Sequence, residues 1–221
     1  MYKRQDLCRA DDFRKLPFED IYAVVNLAGL LPAYMKKYDP FAYVETNITG
    51  GLRILEYARK VHADRVLYTQ TWSEQGGYWG TREILSPDLP RKLIYTGDHA
   101  FYAITKTTIV EMMEHYKQEY GLKNFVFRLP NVYLYHPDKY YYVDCVRKPI
   151  AYRYMIDRAS KGEPIEMWGN PDAFKDILYI KDLCQMMYKA LFAEVNGGTY
   201  NAGTGIRTCL LYTSPSPRDC S

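Results

Sequence analysis

Apolar runs rich in β-branched residues alternate along the chain with segments whose apolar positions recur every three to four residues. The run "YAVVNLAG" (22–29) is apolar and ends in glycine, as a strand buried on both faces should. Segment 40–61 follows, with Phe41, Val44, Ile48, Leu52, Leu55 and Ala58 tracing one expected helical stripe. A strand over 65–71 comes next, then a Gly- and Pro-rich loop over 76–98. A long helix over 102–120 carries Ile109, Met112, Met113 and Tyr116 at helical spacing. Beyond it the pattern predicts a strand over 125–133 and an irregular Tyr-rich stretch whose residues 140–144 form an edge or loop. A helix over 149–161, short strands at 164–168 and 176–180, a helix over 181–192 and a last strand over 198–203 complete it. Alternating β and α units imply an α/β, Rossmann-like doubly wound parallel sheet with helices on both faces. Strands 22–28, 65–70 and 125–130 should be parallel neighbours joined by right-handed crossovers. Ligands of such sheets sit at the carboxyl ends of the strands. Ala28-Gly29, Thr71 and Pro130-Asn131 fall there.

Composition narrows the function. The net charge of +3 is gathered in no basic run, which points away from nucleic acid and anionic membranes as partners. No apolar stretch approaches the ~20 residues of a membrane span, and the start has no signal-peptide apolar region. The cysteines at 8, 145, 184, 209 and 220 and the histidines at 62, 99, 115 and 136 show no metal-ligand spacing, so no metal is expected. Reduced thiols in a cytoplasm are the simple reading. Residues 1–5 and 208–221 read as non-native tails: the second is a Ser-Pro repeat without apolar period.

Candidate chemistry lies in "FYAITK" (101–106). Tyr-x-x-x-Lys occurs twice, at Tyr102/Lys106 and Tyr135/Lys139. Pro137 interrupts the second, so those side chains should not share a helix face. The first opens a run free of Pro and Gly, which places Tyr102 and Lys106 on one face, one turn apart.

Seven segments in order resemble the extended short-chain dehydrogenase/reductases, the NAD-dependent epimerase/dehydratase family of nucleotide-sugar enzymes. They are "VVNLAGLLPA", "ETNITGGLRILEYARK", "RVLYTQTWSEQGG", "FYAITK", "FRLPNVY", "AFKDILYIKDL" and "YNAG". The resemblance spans roughly residues 6–205. It implies an oxidoreductase in which Tyr102 and Lys106 form the acid–base pair for hydride transfer at a sugar carbon, with Thr71 hydrogen-bonding the same sugar hydroxyl. It assigns NAD, with NADP left open, to Asp6, Leu7, Leu27, Ala28, Gly29, Asn47, Tyr102, Lys106 and Pro130. A nucleotide-sugar substrate falls to Thr71, Asn131 and Lys175, and a homodimer is implied for the full-length protein. Lys175 stands where the family pattern has arginine, keeping the charge but losing the bidentate fork.

The family pattern begins with a strand, a Gly-rich turn and a helix that hold the pyrophosphate. No such turn occurs in this chain. Residues 6–135 then read as a partial NAD(P)-binding domain and 136–207 as a mixed substrate-side region, an internal fragment expected to lack the N-terminal β-α-β unit and part of the C-terminal substrate region. Such a fragment is expected to be inactive, to bind NAD weakly and to expose apolar surface. A rival reading is a non-catalytic relative that keeps the fold for binding or regulation. The presence of Thr71, Tyr102 and Lys106 together favours the enzyme.

Overall fold

The computed structural model describes residues 6–134, 138–165, 174–206 and 208–209. A four-residue helix, α1 (Ala10–Phe13), precedes strand β1 (Ala23–Asn26). Pro40–Tyr43 (α2), a π-helical turn over Val44–Thr49 and Gly50–Lys60 (α3) then run on as one rod. Strand β2 (Arg65–Thr71), helix α4 (Ala100–Tyr120) and strand β3 (Lys123–Leu129) follow. After β4 (Asn131–Tyr133) come the hairpin strands β5 (Tyr140–Val143) and β6 (Val146–Pro149), then α5 (Ala151–Ser160). Strands β7 (Phe174–Lys175) and β8 (Ile177–Tyr179), helix α6 (Ile180–Phe192), β9 (Gly197–Asn201) and β10 (Thr208–Cys209) complete the order.

The main sheet has the order β1-β2-β3-β9, and every pairing in it is parallel. Parallel neighbours require crossovers on the faces, which explains why β2 and β3 are buried along most of their length. On one face Val66, Tyr68 and Val126 pack against Leu55, Ala58, Ile109 and Met113 of α3 and α4. On the other, Leu67, Phe125 and Phe127 meet Leu183, Met187 and Ala190 of α6. Each such fully buried apolar side chain contributes about 1.5–3 kcal/mol of transfer free energy. Helix α4 ends at Gly121, which adopts φ 70°, ψ 14° and lets its N–H return to the carbonyl of Lys117.

Four expectations from the pattern need correction. The stripe through Phe41, Val44 and Leu52 is exposed, Phe41 at 83%. The stripe's last members, Leu55 and Ala58, are buried as expected, but before them the rod buries Tyr43, Asn47, Gly50, Gly51 and Ile54. The glycines decide this face: a Cβ at Gly51 would sit 2.6 Å from Ile109 Cδ1, so only glycine permits α3 to approach α4 so closely. The strand expected over 125–133 stops at Leu129, because Pro130 has no N–H for the ladder. Its continuation β4 leaves the main sheet and pairs in parallel with β8.

The Tyr-rich stretch is not irregular: β5 and β6 pair antiparallel around Asp144 and Cys145, both at positive φ, the geometry of a two-residue hairpin turn. The strand expected at 164–168 is not formed at residues 164–165, and its remainder lies outside the described residues. Thr208 and Cys209, in the segment read as a non-native tail, pair antiparallel with Lys175 and Phe174. Among the described residues no helix is long and apolar enough to cross a membrane.

Candidate active site

Residues at the carboxyl ends of β1, β2 and β3 converge with the first turns of α4. Tyr102 and Lys106 lie one turn apart on the buried face of α4, at 9% and 4% exposure. Above them, a Cβ built on Gly29 would come 3.3 Å from Asn47 Oδ1 and 3.8 Å from Lys106 Nζ. Gly29 therefore leaves open a space bounded by an amide and an ammonium.

Asn47 occupies the middle of the π-helical turn, a local widening often found at functional sites. Its Oδ1 accepts from Leu30 N at 2.7 Å, and its Nδ2 donates to Leu30 O at 3.2 Å and to Thr105 Oγ1 at 3.1 Å. Thr105 Oγ1 in turn donates to Tyr102 O at 2.9 Å. One amide thus ties the loop after β1 to the Tyr102 turn. Leu27 and Ala28, just before that loop, are exposed. Asp6 Oδ1 accepts from Cys8 N at 2.9 Å, and Arg53 holds Leu7 O at 2.7 Å, which lays this segment along the start of α3.

Thr71 closes β2 and caps the following turn, its Oγ1 accepting from Ser73 N at 3.2 Å. Gln70 Oε1 accepts from Thr71 N at 2.8 Å, while Gln70 Nε2 donates to Glu74 Oε2 at 2.7 Å and to Thr107 Oγ1 at 3.3 Å. Glu74, 1% exposed, pairs with Arg128 Nε at 2.5 Å and Arg91 Nε at 3.2 Å. Arg128 continues to Asn201 Oδ1 at 2.7 Å. A buried polar network under the strand ends therefore fixes the backbone of Thr71. Sequence reasoning missed its members. The signal was there in the charge of Arg128, placed inside the otherwise apolar "FVFRLP".

A cavity of about 480 Å³ opens beside this network, lined by Trp72, Arg128, Pro130, Lys175, Asp176 and Asn201 among others. Two of the expected ligand residues, Pro130 and Lys175, meet there. Asn131 is exposed at the start of β4 and does not line it, nor do Tyr102 and Lys106. The expected residues thus fall into two groups, with Thr71 on the turn that carries Trp72. The second Tyr-x-x-x-Lys spacing is described only at Lys139, whose Nζ pairs with Asp157 at 2.6 Å on the surface. Among the described residues no cluster of His, Cys, Asp and Glu could hold a metal ion.

Electrostatics qualifies the acid–base reading. Burial pushes the Tyr102 phenol up to about 12 and the Lys106 ammonium down to about 7. A cation one turn away favours the phenolate and by itself would lower the phenol. Loss of water alone accounts for the upward shift of the phenol, and Tyr102 Oη is hydrogen-bonded to neither Thr71 nor Lys106 among the described residues.

A parallel α/β sheet with a tyrosine and a lysine on one buried helix face defines a Rossmann-like protein of short-chain dehydrogenase type. Residues 3–203 match the family model described as "NAD dependent epimerase/dehydratase family", and the chain belongs to that family. It is 24% identical over 208 residues to an uncharacterised protein of Methanocaldococcus jannaschii, covering 91% of this chain and 57% of that one. It is 25% identical over 229 residues to dTDP-glucose 4,6-dehydratase of Salmonella typhimurium, with the same coverage. Among solved structures it is similar to UDP-glucose 4-epimerase of Thermus thermophilus in complex with NAD. That match has TM-score 0.72 and 24% identity, covering 93% of this chain and 64% of that one. It is also similar to UDP-glucuronic acid 4-epimerase of Bacillus cereus in complex with NAD, at TM-score 0.72 and 23% identity, over 94% and 61% of the two chains. The chain thus spans about three fifths of the length of these relatives.

Proposed function

We propose that the whole protein is an NAD-dependent epimerase or dehydratase acting on a nucleotide sugar, with Tyr102 as the proton-transferring group. The observation that carries the reading is the approach of Gly29, Asn47 and Lys106, on the helix face that bears Tyr102, with no Cβ at position 29 to fill the space between them. The same space is the fit test for NAD, since a side chain at Gly29 would fill it. Leu27, Ala28 and Gly29 would line one side of the cofactor, Asn47 would keep their loop in place, and Lys106 would donate to its ribose. Asp6, Leu7 and Pro130 would contribute further contacts. NAD, when bound, supplies a hydride acceptor and donor.

The remaining work belongs to this chain's side chains. Tyr102 Oη exchanges a proton with the sugar hydroxyl that becomes a carbonyl, and Thr71 Oγ1 orients that oxygen. In the free chain burial holds Tyr102 in its neutral, acid form. To take the hydroxyl proton as a base, before returning it as an acid, it must first be ionised, which a nearby cation favours. Lys106 supplies that positive charge. Lys175, with Arg128 beside its Glu74 partner, would bring positive charge from the neighbouring cavity to a substrate diphosphate, and Asn131, outside the cavity lining, would contribute a further polar contact. The similar structures are epimerases of UDP-glucose and UDP-glucuronic acid, which supports this substrate class.

The decisive experiment is Tyr102→Phe in the full-length protein, assayed on UDP- and dTDP-hexoses beside a cofactor-binding titration. Turnover should be nearly abolished with NAD affinity retained. Normal turnover would overturn the assignment and favour the non-catalytic reading.

A further inference from the structure

Lys106 is a buried cation with no carboxylate partner among the described residues. An ammonium removed from water without compensation is strongly disfavoured, so something else must hold it. The Nζ lies 3.9 Å from the centroid of the Tyr68 ring, over its face. The Tyr68 hydroxyl donates to Lys106 O at 3.4 Å, so one side chain touches both ends of the lysine.

Tyr68 is itself tightly placed. It sits in β2 between Asn26 of β1 and Val126 of β3, at 2% exposure, packed in the cluster that includes Ile109, Val110 and Met113 of α4. The ring cannot turn away without disturbing that packing. On the other side stand Gly29 of the loop after β1 and Asn47 of the π-helical turn, and Tyr102 lies one turn earlier on the same helix. Burial holds the phenols of Tyr68 and Tyr102 above their ordinary range, so both rings stay neutral.

We propose that Tyr68 is a positioning residue: its ring face is the platform that seats the Lys106 ammonium toward the space under Gly29. This deepens the reading given above and rests on it, since the platform matters to chemistry only if Lys106 serves Tyr102 and the cofactor. A cation over a ring face gains electrostatic energy from the ring quadrupole, and more so when desolvated. The same contact favours the charged lysine against the burial that would strip its proton.

The test needs neither cofactor nor substrate. Lysine labelled with ¹³C at Cε is titrated by NMR in this chain, the Lys106 signal being identified by its loss in Lys106→Met. Tyr68→Phe, which keeps the ring, should leave the Lys106 midpoint within a few tenths of a unit. Tyr68→Leu should lower it by about one unit, the size expected of a desolvated cation–π contact. Should the leucine variant not fold, fluorinated phenylalanines placed at position 68 change ring electron density at nearly constant shape, and the midpoint should fall stepwise with fluorine number. A midpoint indifferent to fluorination, or equal in the phenylalanine and leucine variants, would overturn the proposal. Failure of the enzymatic reading would show separately, as turnover retained in Tyr102→Phe.

Discussion

Asn47 and Thr105 are joined side chain to side chain, Nδ2 to Oγ1 at 3.1 Å, across fifty-eight positions of sequence. Both are buried, Thr105 completely. The bond clamps the π-helical turn before α3 to the first turn of α4, so the loop carrying Gly29 and the turn carrying Tyr102 move as one body.

Asn47→Ala should therefore cost stability as well as ligand affinity. It removes three hydrogen bonds and leaves Leu30 N, Leu30 O and Thr105 Oγ1 to find water or remain unpaired. The loss should be about 1–3 kcal/mol, read as a lower midpoint in urea. A midpoint unchanged from the parent would show that the clamp is dispensable.

The Glu74–Arg128 pair offers a contrast between breaking and replacing. Both side chains are almost fully buried. Arg128→Met alone strands the Glu74 carboxylate with only Gln70 and Arg91, and should destabilise by about 3–5 kcal/mol. Combining it with Glu74→Leu should recover much of that loss, because the uncompensated charge is gone. Denaturation of the single and double variants checks it; additive losses would contradict the explanation.

Lys106 should give folding stability a distinctive pH dependence. Its folded pKa is lowered to about 7 from the ordinary 10.5. Between those values the unfolded chain binds the proton and the folded one does not, so stability rises with pH. The contribution is complete above 10.5 and is lost as pH falls toward 7, at up to about 1.4 kcal/mol per pH unit. Lys106→Met should remove this slope, making the variant gain on the parent as pH is lowered from about 10 to about 7. Parallel curves for the two proteins would refute it.

Catalysis should separate the two residues of the pair. In the full-length protein Tyr102→Phe should lower turnover by about 10²–10⁴-fold with cofactor binding kept. Lys106→Met should impair both, and Tyr135→Phe should change little.

Gly51→Ala tests the packing that set the helix face. Alanine favours a helix interior by about 1 kcal/mol, but its Cβ would lie 2.6 Å from Ile109 Cδ1. Overpacking of about 1–3 kcal/mol should win, and Ile109→Val in the same chain should relieve part of it. Thermal melts of the single and double variants measure this.

The sequence by itself determined the strand–helix alternation, the parallel sheet and the helical placement of Tyr102 and Lys106, because periods of two and 3.6 are local properties of the chain. It also put Gly29 and Thr71 at strand ends. What only the tertiary structure decided depends on neighbours remote in sequence. Gly51 against Ile109 helped choose which side of the 40–60 rod is buried, leaving Phe41, Val44 and Leu52 of the expected stripe outside while Leu55 and Ala58 stayed in the core. The Glu74–Arg128–Asn201 network is built from bonds that span 54 and 73 positions; the charge of Arg128 in an apolar strand hints at a partner, but only the fold names it. Pairing of β4 with β8 drew Asn131 out of the main sheet. Burial reversed the expected charge balance of Tyr102 and Lys106, since desolvation depends on how completely the fold closes over a group and not on which residue stands four places away.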